Sequence, residues 1–217
     1  MTIRAKLVTA VTVAIAGLAL TAGAGIWSMS RLSDRFDGVQ DASDARAVAL
    51  QLKFGVTDFN GWQTAYGYDN GKSRPIFLAS VSGFRATLDR ARNRLTDDRE
   101  QSLLNELSRA FADFMRLDDR AWAALQAGRT GEVKRLFLGP EIVNFQRMAR
   151  AAQALATVEN NVAAREEQEF RDTRTDALRY LIGASVIAGL LVAILIATAL
   201  DLARSAERAL DVSERTP

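Results

Sequence analysis

LVTAVTVAIAGLALTAGAGIW, residues 7–27, and YLIGASVIAGLLVAILIATAL, residues 180–200, decide how this chain is organised. Neither stretch contains a charged residue. At a rise of about 1.5 Å per residue each covers about 31 Å as a helix, matching a hydrocarbon core of roughly 30 Å. Both read as transmembrane helices. Between them, residues 28–179 are enough for one soluble domain. Residues 1–6 precede the first span, and a short tail, 201–217, follows the second.

The flanks give the expected orientation. Arg4 and Lys6 precede the first span with no acid beside them, and Arg204 and Arg208 follow the second. Basic residues near membrane ends tend to stay inside. Both termini are therefore expected in the cytoplasm and the central domain in the periplasm or outside the cell. Trp27 and Tyr180 stand at the two outer ends, where amphipathic rings favour the interface. A basic start, an apolar run and Ala22-Gly23-Ala24 also describe a cleavable signal peptide, although the run exceeds the usual length of such a region. Either way the central domain lies outside.

Composition narrows the chemistry. The formal net charge is only +2, with neither Cys nor His. A nucleic-acid partner would need a basic face. Disulfides and thiol chemistry are excluded, as are the commonest general base and metal ligand. No Gly-rich phosphate loop or nucleophile–base pairing is legible. The chain is therefore expected not to be an enzyme, and to carry no metal or cofactor. Arg far outnumbers Lys and Ala is abundant, a composition associated with GC-rich bacterial genomes; the expected location is the bacterial inner membrane.

The central domain reads as all-α. Breakers cluster at GYDNGKSRP (67–75), LTDD (95–98) and across 127–140, which holds Gly128, Gly131, Gly139 and Pro140. Three breaks make four helices. Apolar residues recur at steps of three and four. The first seam is Ala45, Ala49, Leu52, Val56, Phe59, Gln63 and Tyr66; the second is Phe77, Val81, Phe84, Leu88, Ala91 and Leu95. The third is Leu104, Leu107, Phe111, Phe114, Asp118, Ala121 and Leu125; the fourth is Ile142, Phe145, Ala149, Ala152, Leu155, Val158 and Val162. This is the pattern of an antiparallel four-helix bundle. No window alternates with period two, so no sheet is expected. Asp97 and Asp98 suit the positive start of the third helix; T-x-x-R from Thr96 is no capping box.

This layout resembles the four-helix-bundle sensor module of bacterial methyl-accepting chemotaxis receptors. DFNGWQTAY (58–66) is similar to the end of the first helix in many such receptors, and AGR (127–129) to the opening of the turn before the fourth. LARSAERAL (202–210) resembles the first turns of a HAMP helix, with Ala209 where the family usually has Pro. The resemblance covers residues 1–200 and implies a homodimeric transmembrane receptor. It would sense a small molecule or a periplasmic binding protein outside and signal inward by a piston or tilt of the second span. With no cytoplasmic signalling region in the 217 residues, output would need a separate cytoplasmic partner or has been lost. The competing reading is a non-sensing membrane scaffold or accessory subunit.

Asn60, Trp62, Gln63, Tyr66, Tyr68 and Asp69 mix polar groups with aromatics, as small-ligand sites do, though the same residues suit a capped helix tip. Counting helix rise places Arg85 and Arg150 near the level of Asn60. The candidate site is therefore an anionic ligand held by Arg85 and Arg150 with Asn60 and Gln63, beside Trp62 and Tyr66. Solvated arginines are the plainer reading. Asp118 interrupts an apolar seam; it sets register, faces an Arg or, the reading favoured here, marks a locally wet seam. Glu166, Glu167 and Glu169 among Arg165, Arg171 and Arg174 read as an exposed ion-pair lattice. Gly183 and Gly189 would permit close helix contact.

Overall fold

The computed structural model describes residues 3–214, with side chains except at 3–7, 10, 202 and 205–214. Arg4, Lys6, Arg208, Ala209 and most of the HAMP-like stretch are thus outside the described side chains. The elements are α1 (Ile3–Tyr68), α2 (Arg74–Arg94), α3 (Asp98–Gln126), α4 (Thr130–Leu136), a kinked junction (Phe137–Glu141) and α5 (Ile142–Glu214). No strand occurs among the described residues. The chain forms two compact units: residues 38–167, and residues up to 37 together with those from 168.

In the unit 38–167 the heptad seams of the first three helices turn inward as expected. Phe59 of α1 is fully buried at its centre. Its ring meets Phe84 of α2 at 5.1 Å and Phe111 and Phe114 of α3 at 5.6 and 5.3 Å. Leu52, Val56, Phe77, Val81, Leu104 and Leu107 continue the same core. Tilted and edge-on ring pairs of this kind add about 0.5–1.5 kcal/mol each beyond the area they bury.

α5 keeps part of its expected seam: Ala152 and Leu155 are buried in the core. Met148, Ala156 and Glu159, outside that seam, are buried as well, whereas Ile142 is exposed. Phe145, Ala149 and Val158 are only half-buried. The stretch MARAAQALATV, 148–158, has small apolar residues on most sides, so spacing does not single out one face. The third break also holds more structure than expected. Val133 and Leu136, one turn apart, are buried and give α4 an inward edge, while Arg129 pairs with Glu132 at 2.8 Å.

The turns have local causes. Pro75 occupies the first turn of α2, where its missing N–H costs nothing. α3 opens on a capping box that begins one residue after Thr96: Asp97 accepts from the Arg99 N–H, and Glu100 accepts from the Asp97 N–H. α1 ends in a left-handed pair, Asn70 (φ 57) and Gly71 (φ 90), with the Gly71 N–H donating to the Tyr66 carbonyl at 2.8 Å.

In the other unit, α1 and α5 each contain a stretch long and apolar enough to cross a membrane. Leu18, Ile26, Ile182 and Leu190 are more than half exposed, a surface that suits lipid rather than water. Trp27 and Tyr180 meet edge-on at 5.7 Å, and the Arg31 guanidinium lies 4.4 Å from the Trp27 ring centre. Glu169 of the expected ion-pair lattice pairs with Arg35 at 2.5 Å. Leu191 lies against Gly17, whereas Gly183 and Gly189 face open space.

Gly71 is the turn position least able to change. A Cβ there would stand 2.8 Å from the Trp122 ring, on a backbone that L residues rarely adopt. Gly71→Ala should lower unfolding stability by about 2–3 kcal/mol. Gly131→Ala, which meets no atom within 4 Å, should leave it within about 0.5 kcal/mol. Urea unfolding of the two variants checks the contrast.

Candidate functional site

Asp118 is fully buried on the inner face of α3. Arg74, at the start of α2, reaches its Oδ2 at 2.6 Å. The Gln63 amide of α1 donates to Oδ1 at 3.0 Å, and the Tyr66 hydroxyl donates to the same oxygen. Of the three readings of this position, the structure shows Asp118 facing an Arg: the carboxylate has no exposed surface and is answered by a cation and two neutral donors. Such a group is tolerated only when its charge and lone pairs are met together. Burial, and then the neighbouring Asp118 charge, push the Tyr66 phenol far above its usual range, so it stays protonated and donating.

Arg74 is held as firmly as its partner. Its guanidinium lies 4.8 Å from the Tyr66 ring centre and 4.9 Å from those of Phe77 and Trp122. Tyr66 packs edge-on against Phe77, Trp122 and Phe137 at 5.4, 5.7 and 6.1 Å. An aromatic cage of this kind favours a planar cation.

Beside this cluster the last helical connection breaks. Gly139 leaves helical geometry (φ −113, ψ −107), and Pro140 follows with no N–H to donate. Glu141, just past this kink, is turned inward. Phe137 packs so closely on Gly67 that a Cβ there would fall 2.4 Å from the ring. A cavity of about 460 Å³ opens against the break, lined among others by Asn60, Gln63, Thr64, Phe137, Glu141 and Phe145. This size and largely apolar lining are those of a small-molecule site.

Glu141 is 2 % exposed, and neither of its carboxyl oxygens has a hydrogen-bond partner. Burial, and secondly the Asp118 charge, push its pKa from 4.5 up to about 8. Gln63 gives one amide N–H to Asp118, and its second N–H lies near enough to Glu141 to ease that shift. A second carboxyl, Glu159 of α5, is also buried and pushed upward, by desolvation and then by Glu100 at the start of α3.

The structure divides the six residues proposed from sequence. Asn60 and Gln63 line the cavity, and Tyr66 forms the floor of the Asp118 cluster. Trp62 is half-buried against the core instead. Arg85 is exposed, with its guanidinium 5.7 Å from the Phe111 ring centre. Arg150 is exposed and bonds the carbonyl of Gln146, on its own helix. Neither arginine is brought to the cavity. Arg74 and Glu141 went unrecognised because each has an ordinary local reading, a basic residue in a polar turn and an acid beside a Pro at a helix start. No known family, curated protein or solved structure matches the chain.

Removing Arg74 leaves Asp118 buried without its cation, so Arg74→Ala should cost about 3–5 kcal/mol in urea unfolding. A pH titration isolates Glu141. Its folded pKa is raised, so the native state keeps a proton that the unfolded chain releases between pH 4.5 and about 8. That stabilisation is complete below pH 4.5 and is lost as pH rises through 8. Glu141→Gln removes the titration. Between pH 5 and 9 the wild type should lose on the order of 4 kcal/mol more than this variant.

Proposed function

We propose that this chain is a two-span membrane receptor whose central domain, an antiparallel four-helix bundle outside the cytoplasm, binds a small molecule. The observation that carries the reading is the cavity at the α4–α5 break, with a buried, unpartnered carboxyl in its wall. A well-packed apolar residue of the same volume would be more stable at this position. The cavity also sits where the backbone is already interrupted, so a ligand can alter the break at Gly139 without unwinding a regular helix.

The output follows from chain continuity. α5 is one helix from Ile142 to Glu214, and it contains the more apolar of the two spanning stretches. In the proposed mechanism, ligand at the cavity shifts the start of α5 and the helix carries that shift inward. This is the signalling mode of the chemotaxis-receptor sensor modules that the sequence resembles. The proposed receptor is a homodimer with both termini in the cytoplasm of a bacterial cell. Phe54, which is 71 % exposed on α1, and the neighbouring Leu50 are surfaces that a second copy would cover.

Two measurements test this. A ligand present at 100 times its dissociation constant should add about 2.7 kcal/mol to stability. A melting screen of the full chain in lipid nanodiscs against small metabolites should therefore find a saturable shift. The absence of any shift favours the scaffold reading. Because the chain has no Cys, Lys72→Cys and Ser213→Cys report topology directly. A membrane-impermeant maleimide should label Lys72→Cys in intact cells and Ser213→Cys only after permeabilisation; the reverse pattern refutes the orientation.

A further inference from the structure

We infer that the cavity at the α4–α5 break takes a small organic cation, an amine with an apolar portion, whose ammonium group pairs with Glu141. This rests on reading that cavity as the ligand site, and it specifies the ligand's chemistry.

The groups around Glu141 come from every neighbouring element, and each of the inner ones bonds Asp118. From α1, Gln63 and Tyr66 both donate to Asp118. From α2, Arg74 is bound to Asp118 and enclosed by three rings. From α3, Asp118 itself contributes a second negative charge. From α4, Lys134 lines the cavity but is exposed, and neither Glu141 oxygen pairs with it. The interior therefore holds two carboxyl groups against one guanidinium. A proton on Glu141 restores the balance, and an entering cation can do the same.

The remaining lining favours this class of ligand. Asn60 and Thr64 supply further polar atoms, and Leu125, Val133, Phe137 and Phe145 form an apolar wall. Aromatic faces attract ammonium groups. An anion placed here would face Glu141 and Asp118, and the two arginines expected to hold it, Arg85 and Arg150, do not line the cavity. Binding exchanges one cation for another: the ammonium enters, the Glu141 side chain, whose oxygens are buried in the cavity wall, turns to meet it and gives up its proton to solvent, and the O–H bond is replaced by an N–H···O⁻ ion pair. Below the Glu141 pKa, each unit fall in pH should weaken binding about tenfold, as the proton competes for the same carboxylate.

The experiment uses the full chain in nanodiscs. Phenethylamine and butylamine are the probes, with phenethyl alcohol and phenylacetate as neutral and anionic counterparts. Titration calorimetry is run at pH 8.5 and 6.5 in buffers of different ionisation enthalpy, alongside the metabolite melting screen. The inference expects saturable binding of at least one amine at pH 8.5. At pH 6.5 binding should be at least tenfold weaker and release close to one proton. Glu141→Gln should lose at least tenfold in affinity while still melting cooperatively. If that variant does not fold, proton release by the wild type decides the matter alone. Amine binding with no proton release, or unchanged in a folded Glu141→Gln, overturns the role of Glu141. Binding of the alcohol or phenylacetate as tight as that of the amines overturns the cation. Failure of both amines alongside a saturable shift from another metabolite overturns the cation but leaves the cavity a ligand site. No shift with any compound, from a folded chain, overturns both readings.

Discussion

The fully buried carboxylate of Asp118 is the constraint on which the interior of residues 38–167 depends. A charge at that depth must be matched where it stands, and every nearby donor is drawn to it: Arg74 from α2, Gln63 and Tyr66 from α1. These bonds tie three helices to one another at defined points, in addition to the Phe59 ring cluster. Arg74 is then completed by the faces of Tyr66, Phe77 and Trp122. The aromatic content of this end of the domain follows from the need to house a cation away from water.

That matching has a consequence for the neighbouring carboxyl. With the donors committed to Asp118, Glu141 enters the interior without a partner, and burial beside a second acid favours its protonated form. The backbone allows this because Gly139 and Pro140 kink the chain just before Glu141. The same interruption leaves the cavity unfilled, bounded by Phe137 lying on the bare backbone of Gly67. One break thus produces both the space and the unpaired group facing it. The proposed receptor function draws on both.

Much of this was legible beforehand, for particular reasons. The seams of α1, α2 and α3 could be read because their large apolar residues recur on one face against polar neighbours. The seam of α5 was legible only in part, at Ala152 and Leu155, because alanines around Met148 make several faces equally apolar. α4 was hidden by Gly128, Gly131 and Gly139, which signal a loop although Val133 and Leu136 hold one helical turn inward. At the site, Asn60, Gln63 and Tyr66 stood out as polar and aromatic groups on a seam. Arg85 and Arg150 were chosen by distance along their helices alone, and helix rise says nothing about the direction in which a side chain points.

By itself, then, the sequence determined the helical class, the positions of the main breaks and two stretches apolar enough to span a membrane. These follow from local periodicity and from the length of uncharged runs, which neighbouring elements do not alter. Only the tertiary structure decided which charges meet. Asp118 and Arg74 are separated by 44 residues, and Glu141 belongs to yet another helix junction; nothing local distinguishes them from solvated acids and bases. Whether a carboxyl is paired, protonated or open to a ligand depends on which donors the packed helices bring within about 3 Å, and that is a property of the fold.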